Sequence, residues 1–538
     1  MAAALAAAET VALHVTGMRS IAGIAPQVTG PPPFGVYHDL RWVLVFHASW
    51  GGLAAELAGL LVFRTLLNAG LVLLAWPPGV PHPAGRRLVT SAGLGTLLLT
   101  ALTWPWAALA GMGAAASLSW FVMASVLGFA MMALVVNRAG MVPGWWRHPP
   151  TPVSVGLALL TLLTICAASA AVSLAPGWWK VPVSAAGGLA DGGLWVLLVR
   201  TVAGRPLPVL RAALTPIAVV VVPLVVIAAG AHLIGATHPQ PDPTAATAHV
   251  DRLSPPGDRQ VVYLLGYGTH YDGQHVPGTP PGTAVTYFSY RGRYPDGAPL
   301  PYGPAATYQS IDVLADRLAR QVNGIHRRTG KPVALMATSE GTFVVRAYLR
   351  THRAAAVHTV VLLSPLIRSA RVYYPPRGAD HGWGLGMGWA FRVLTSIARW
   401  RTGSRVDADQ PFVRSILDQA PYFRNTMLCP VAHKRIVAFV PAASGAAVSY
   451  GHLTGVPVVE AWSVHGYLLH EPAVRRQVFG VLGGHHVRSR DPLGFRLVRA
   501  AAAGWQMPPL PLAVRPAWHA AGAPDAALST DGECHVRG

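Results

Sequence analysis

Lys331-Pro-Val-Ala-Leu-Met-Ala-Thr-Ser-Glu-Gly-Thr-Phe-Val-Val-Arg346 decides how the second half of the chain folds. Val333 to Met336 is a short apolar run suited to a buried strand, and a segment with helical spacing follows Gly341. Between them, Ala337-Thr338-Ser339-Glu340-Gly341 reads as a nucleophile elbow, a tight turn that lifts a serine clear of the strand it ends. Strand and helix approach closely at such a turn, so small residues are needed on both sides. Gly341 meets that need fully. Ala337 is the next smallest choice where the usual pattern has glycine.

Outward from this stretch, composition divides the 538 residues. The mean hydropathy of +0.39 and the 12% of charged residues are unusual for a soluble protein. Residues 1–240 hold 11 Lys/Arg and 4 Asp/Glu, whereas residues 241–538 hold 31 and 18. The first part therefore reads as membrane and the second as a water-soluble domain, with two or more domains expected from length alone. The net charge of +20 suits anionic lipid headgroups. No zinc finger, RNA-recognition signature or basic–aromatic ladder accompanies it, so no nucleic-acid partner is expected. Met1 to Ile24 lacks a basic cluster before an apolar core, and no cleaved signal peptide is expected there.

The membrane half is read as a leader over 1–40, irregular or partly interfacial, and a polytopic helical domain over 41–236. About six spans are expected, near 51–76, 88–111, 117–136, 153–175, 183–203 and 212–235. Arg86, Arg87, Arg138, Arg147, Arg200, Arg205 and Arg211 all fall in loops on one side, which the positive-inside rule makes cytoplasmic. That topology makes a multi-pass cell-membrane protein with its second half extracytoplasmic. Glu56 and Arg64, eight residues apart, lie roughly on one helical face and are candidate partners for each other. Asp191 sits inside a glycine-rich span.

A Pro-rich linker, 237–257, leads to residues 258–484, where strand-like and helix-like segments alternate. Gln260 to Leu265, Ala284 to Ser289, Thr359 to Leu363, Arg435 to Val440 and Val456 to Trp462 join the run before Ser339 as strands. Ser310 is a candidate N-cap for a helix that stops at Gly330. This alternation predicts a mostly parallel sheet with crossover helices. With the elbow at Ser339, a Gly-rich turn at Gly266-Tyr-Gly268 and a histidine in Ser463-Val-His-Gly466, residues 257–484 resemble an α/β-hydrolase domain. That resemblance implies Ser339 as nucleophile and His465 as general base, ahead of His452 and His470. It also implies an oxyanion hole from the backbone N–H of Glu340 and of Tyr267 or Gly268.

The triad acid is where the sequence departs from that pattern. The loop 441–455 contains no Asp or Glu. Asp380 and Glu460 are the candidate acids, with Asp407 and Asp409 in the same insertion as Asp380. A Ser–His dyad helped by Ser444 is the other possibility. Residues 367–430 are expected to form a cap, in which Trp389, Val393, Ile397 and Trp400 share a helical face: either the cap's packed side or a surface dipping into lipid. Residues 485–538 read as a basic, then Ala/Pro-rich, poorly ordered tail. Cys429 and Cys534 are a possible disulfide pair, and His485-His486 lacks further ligands at metal spacing, so neither metal nor cofactor is expected. Two functional expectations follow. One is an integral-membrane serine hydrolase acting on a lipid-like or cell-envelope ester, thioester or amide. The other is a catalytically silent hydrolase-like domain that binds or scaffolds for the helical half.

Overall fold

The structure is a computed structural model, and it describes residues 1–116, 152–203, 260–273, 285–402, 407–424, 426–441, 455–489 and 492–519. Four helices in the first half are long and apolar enough to cross a bilayer. They are α3 (Trp50–Leu74), α4 (Gly85–Ala116), α5 (Pro152–Leu174) and α6 (Lys180–Val202). They match four of the expected spans; those near 117–136 and 212–235, and the linker 237–257, lie outside the described residues. Their outer faces carry bare aliphatic and aromatic side chains, including Val62, Phe63, Leu66, Leu94, Leu97 and Leu163. Such a continuous apolar band is costly in water and suits lipid.

The leader is not irregular. It forms α1 (Ala2–Val15), a buried 3-10 segment (Arg19–Thr29) and α2 (Phe34–Phe46). Small residues explain the close packing of α1 on α6: a Cβ at Gly188 would fall 2.7 Å from the Ala2 carbonyl oxygen and 2.9 Å from Ala6 Cβ. Charge also settles differently from the sequence reading. Arg64 pairs with both oxygens of Asp39 on α2 and with the Val28 carbonyl, not with Glu56. Asp191 is buried against the Thr29 hydroxyl at 3.5 Å.

The second half is a six-stranded parallel sheet of order β2-β1-β3-β4-β5-β6. Its strands are β1 (Gln260–Leu264), β2 (Val285–Tyr287), β3 (Val333–Thr338), β4 (Val357–Leu363), β5 (Arg435–Pro441) and β6 (Val458–Ala461). Their near-continuous apolar runs fit a sheet covered on both faces. α7 (Ile311–Thr329) and α8 (Glu340–Thr351) join the core on one face, and α11 (Pro472–Leu482) joins that on the other. Ser310 precedes α7 as expected, but Ser415 Oγ accepts the Ile311 N–H at 3.2 Å. Gly330 ends α7 at φ 65°, a left-handed conformation that favours glycine.

One expectation narrows to a single alternative and another changes. In the insertion, α9 (Leu385–Thr402) buries Met387 and Phe391 beside Gly111 of α4 and is followed by α10 (Pro411–Asp418). Trp389, Ile397 and Trp400 on α9 are 53%, 52% and 79% exposed, so the stripe is not a packed face. The expected tail instead returns to the molecule: α12 (Leu493–Ala502) is followed by a chain that buries Trp505, Met507 and Leu510. Gln27 and Arg41 both hold the Gly504 carbonyl, at 2.6 and 2.9 Å. Apolar burial and these bonds outweigh the Ala/Pro-rich composition that suggested disorder.

Candidate active site

In this strand order the chain runs from β1 outward to β2, then crosses back to β3 on β1's other side. The carboxyl ends of β1 and β3 therefore flank a topological switch point, where open α/β sheets form a crevice. Ser339 stands at the end of β3 and Gly266 to Gly268 at the end of β1. Ser339 has φ 53° and ψ −114°, a strained backbone for a residue with a Cβ. The turn is held by the Ser339 N–H, which donates to Leu363 O at 3.0 Å. A Cβ at Gly341 would fall 2.7 Å from Leu264 Cβ, which explains why the position after Glu340 is glycine.

The turn brings Ser339 Oγ to 2.8 Å from His465 Nε2. His465 follows β6, and the loop is fixed by the next residue: the Gly466 N–H donates to Ser364 Oγ at 3.2 Å. Part of the His465 surface is open, yet enclosure of the ring pushes its pKa down to about 4 through desolvation. The imidazole is therefore neutral at pH 7, the form that accepts a proton, but it is a weaker base than a free histidine.

Of the expected oxyanion donors, Gly268 N–H is occupied by Thr307 Oγ1 at 3.0 Å. Among the described residues the N–H groups of Tyr267 and Glu340 have no such acceptor. The candidate acids all have other partners. Glu460 is buried against Arg499, and Asp380 is exposed with His381 Nδ1 at 2.5 Å. Asp407 receives Arg399 at 2.9 Å and Asp409 receives Arg392 at 2.7 Å. Ser444 and His452 lie outside the described residues. Glu340 is fully buried, both its oxygens lack a hydrogen-bond partner among the described residues, and burial raises its pKa well above the carboxylate range.

Ser364 and Thr307 were not legible as site residues. Each is an ordinary hydroxyl in sequence, and its role comes from a contact made across the fold. Comparison with protein-family models and with curated proteins finds no match for this chain.

Proposed function

We propose that the chain is an integral-membrane serine hydrolase of α/β-hydrolase type. The observation that carries this reading is Ser339 Oγ, on a strained strand-to-helix turn at the switch point, 2.8 Å from His465 Nε2. His465 takes the hydroxyl proton as Ser339 Oγ attacks an acyl carbon. The N–H groups of Tyr267 and Glu340 then receive the oxyanion. Collapse expels the leaving group with the proton from His465, and water, activated by the same imidazole, releases the acyl chain from Ser339. A lipid-like substrate is supported by the site's surroundings. The segment leaving β4 beside Ser339 runs directly to the end of α4, where the Ala370 N–H donates to Ala115 O at 2.8 Å. Cys429 is disulfide-bonded, which supports an oxidising, extracytoplasmic setting for this half.

The test is labelling of the purified full-length protein with a fluorophosphonate probe. Wild type labels, and Ser339→Ala and His465→Ala do not. A well-folded wild type that fails to label, with a small probe as well as a bulky one, favours the silent scaffold instead. The ion pairs already held by Asp380, Glu460, Asp407 and Asp409 are the observation on that side.

A further inference from the structure

Where the returning chain passes between the two halves, three buried arginines are held by carbonyl and amide oxygens. Arg41 Nη1 donates to the carbonyls of Gly504 and Gln506, and its Nη2 to Gln27 Oε1 at 2.6 Å. Arg371 donates to Gln506 Oε1 at 2.5 Å and Met507 O at 3.1 Å. Arg424 donates to the carbonyls of Leu510 and Ala370. Glu9 and Asp39 act on Arg41 only from a distance, being bonded to His38 and Arg64. No acid among the described residues forms an ion pair with Arg41, Arg371 or Arg424. Burial, reinforced by repulsion of Arg371 by Arg368 and of Arg424 by Arg371, pushes Arg371 and Arg424 down to about 9.

Carbonyl dipoles offset part of the cost of burying such cations, but like charges gathered in one place remain expensive. The hydrogen-bond inventory is also one-sided. Arg41 Nε and Gln506 Nε2 are buried donors with no acceptor among the described residues. Excess positive charge and orphaned donors in one place call for an anion rich in acceptors. Depth narrows its chemistry. From Arg87 to Ala114, α4 rises about 40 Å at about 1.5 Å per residue, the distance between the headgroup layers of a bilayer. The Arg371 N–H bonds to Ala114 O at 3.3 Å, at the end of that rise.

We propose that Arg41, Arg371, Arg424 and Gln506 form a binding site for a phosphate-bearing anion at headgroup depth. Arg368 and Arg371, 8% and 6% exposed, are less deeply buried than Arg41 and Arg424. The phosphate comes from a lipid headgroup or from free phosphate. The proposal does not depend on Ser339 chemistry.

The experiment is thermal unfolding of delipidated full-length protein in a neutral detergent, at constant ionic strength. Inorganic phosphate, lysophosphatidylglycerol and a phosphate-free monoacylglycerol are titrated separately. A saturable rise in Tm with the first two identifies a general phosphate site; a rise with the lysophospholipid alone identifies a headgroup site. Monoacylglycerol gives no rise. Arg371→Gln shifts the half-saturating concentration upward by roughly tenfold or more, and Ser339→Ala leaves it unchanged. Arg368→Gln, at the edge of the cluster, gives the same direction of shift and replaces Arg371→Gln if that variant does not fold. No rise with either phosphate compound on folded wild type overturns the proposal. So does an unchanged titration in the variants.

Discussion

Arg64, in the middle of α3, is clasped through two of its nitrogens by the carboxylate of Asp39 on α2, while Glu56 on Arg64's own helix stays half-exposed. A buried guanidinium deprived of the carboxylate it pairs with pays much of its desolvation cost. Asp39→Asn is therefore expected to destabilise the protein by about 3–5 kcal/mol, and Glu56→Gln by less than about 0.5 kcal/mol. Thermal unfolding of both variants in one detergent checks this. Equal effects would return Glu56 to the role of partner.

Gly341 of α8 lies directly against Leu264 of β1. Gly341→Ala pushes a methyl group into Leu264, whose Cβ and carbonyl cannot swing away like a flexible side chain. Overpacking of this kind costs about 1–3 kcal/mol. It also displaces Ser339, two residues back, so fluorophosphonate labelling is expected to fall more than stability. Ala337→Gly, at the other small position, is expected to leave labelling intact.

Glu340 predicts a pH dependence of stability. Its pKa is raised in the fold, so the folded state keeps a proton that the unfolded chain releases above 4.5. The contribution is complete below that value and is lost as pH rises toward the folded pKa. Glu340→Gln, neutral at every pH and nearly the same size, removes this dependence. Between pH 5 and pH 8 the wild type should lose a few degrees of Tm more than the variant. Parallel curves would mean that the acid is ionised in the fold.

His465 works in the opposite direction. Its pKa falls from 6.5 to about 4 on folding, so its contribution to stability is complete above 6.5 and is lost as pH falls toward about 4. The rate of Ser339 labelling should stay level from pH 8 to pH 5 and drop only near pH 4. A midpoint near 7 would show that the ring is not held in its desolvated state in solution.

Much of this was legible from local pattern. Strand runs, the elbow around Ser339 and four apolar spans all announce themselves within about 20 residues, where periodicity and turn chemistry operate. Long-range partners did not. Arg64 is joined to Asp39 across two helices, Gly466 to Ser364 across 102 residues, and Gln27 to Gly504 across 477. Helical spacing suggested Glu56 for Arg64 because it reads only neighbours on one helix. The stretch 493–519 looked like a tail because Ala and Pro carry no pattern, and its buried Trp505 gains meaning only from the helices it meets.

The return of residues 504–506 to Gln27 and Arg41 also orders events during biosynthesis. The helical half leaves the ribosome first, yet these two side chains wait for acceptors that are made 463 to 477 residues later. Membrane insertion and final closure are thus separate in time. The early helices must persist in the bilayer as an unfinished assembly, with a guanidinium seeking temporary partners, until residues 504–506 thread in and lock them.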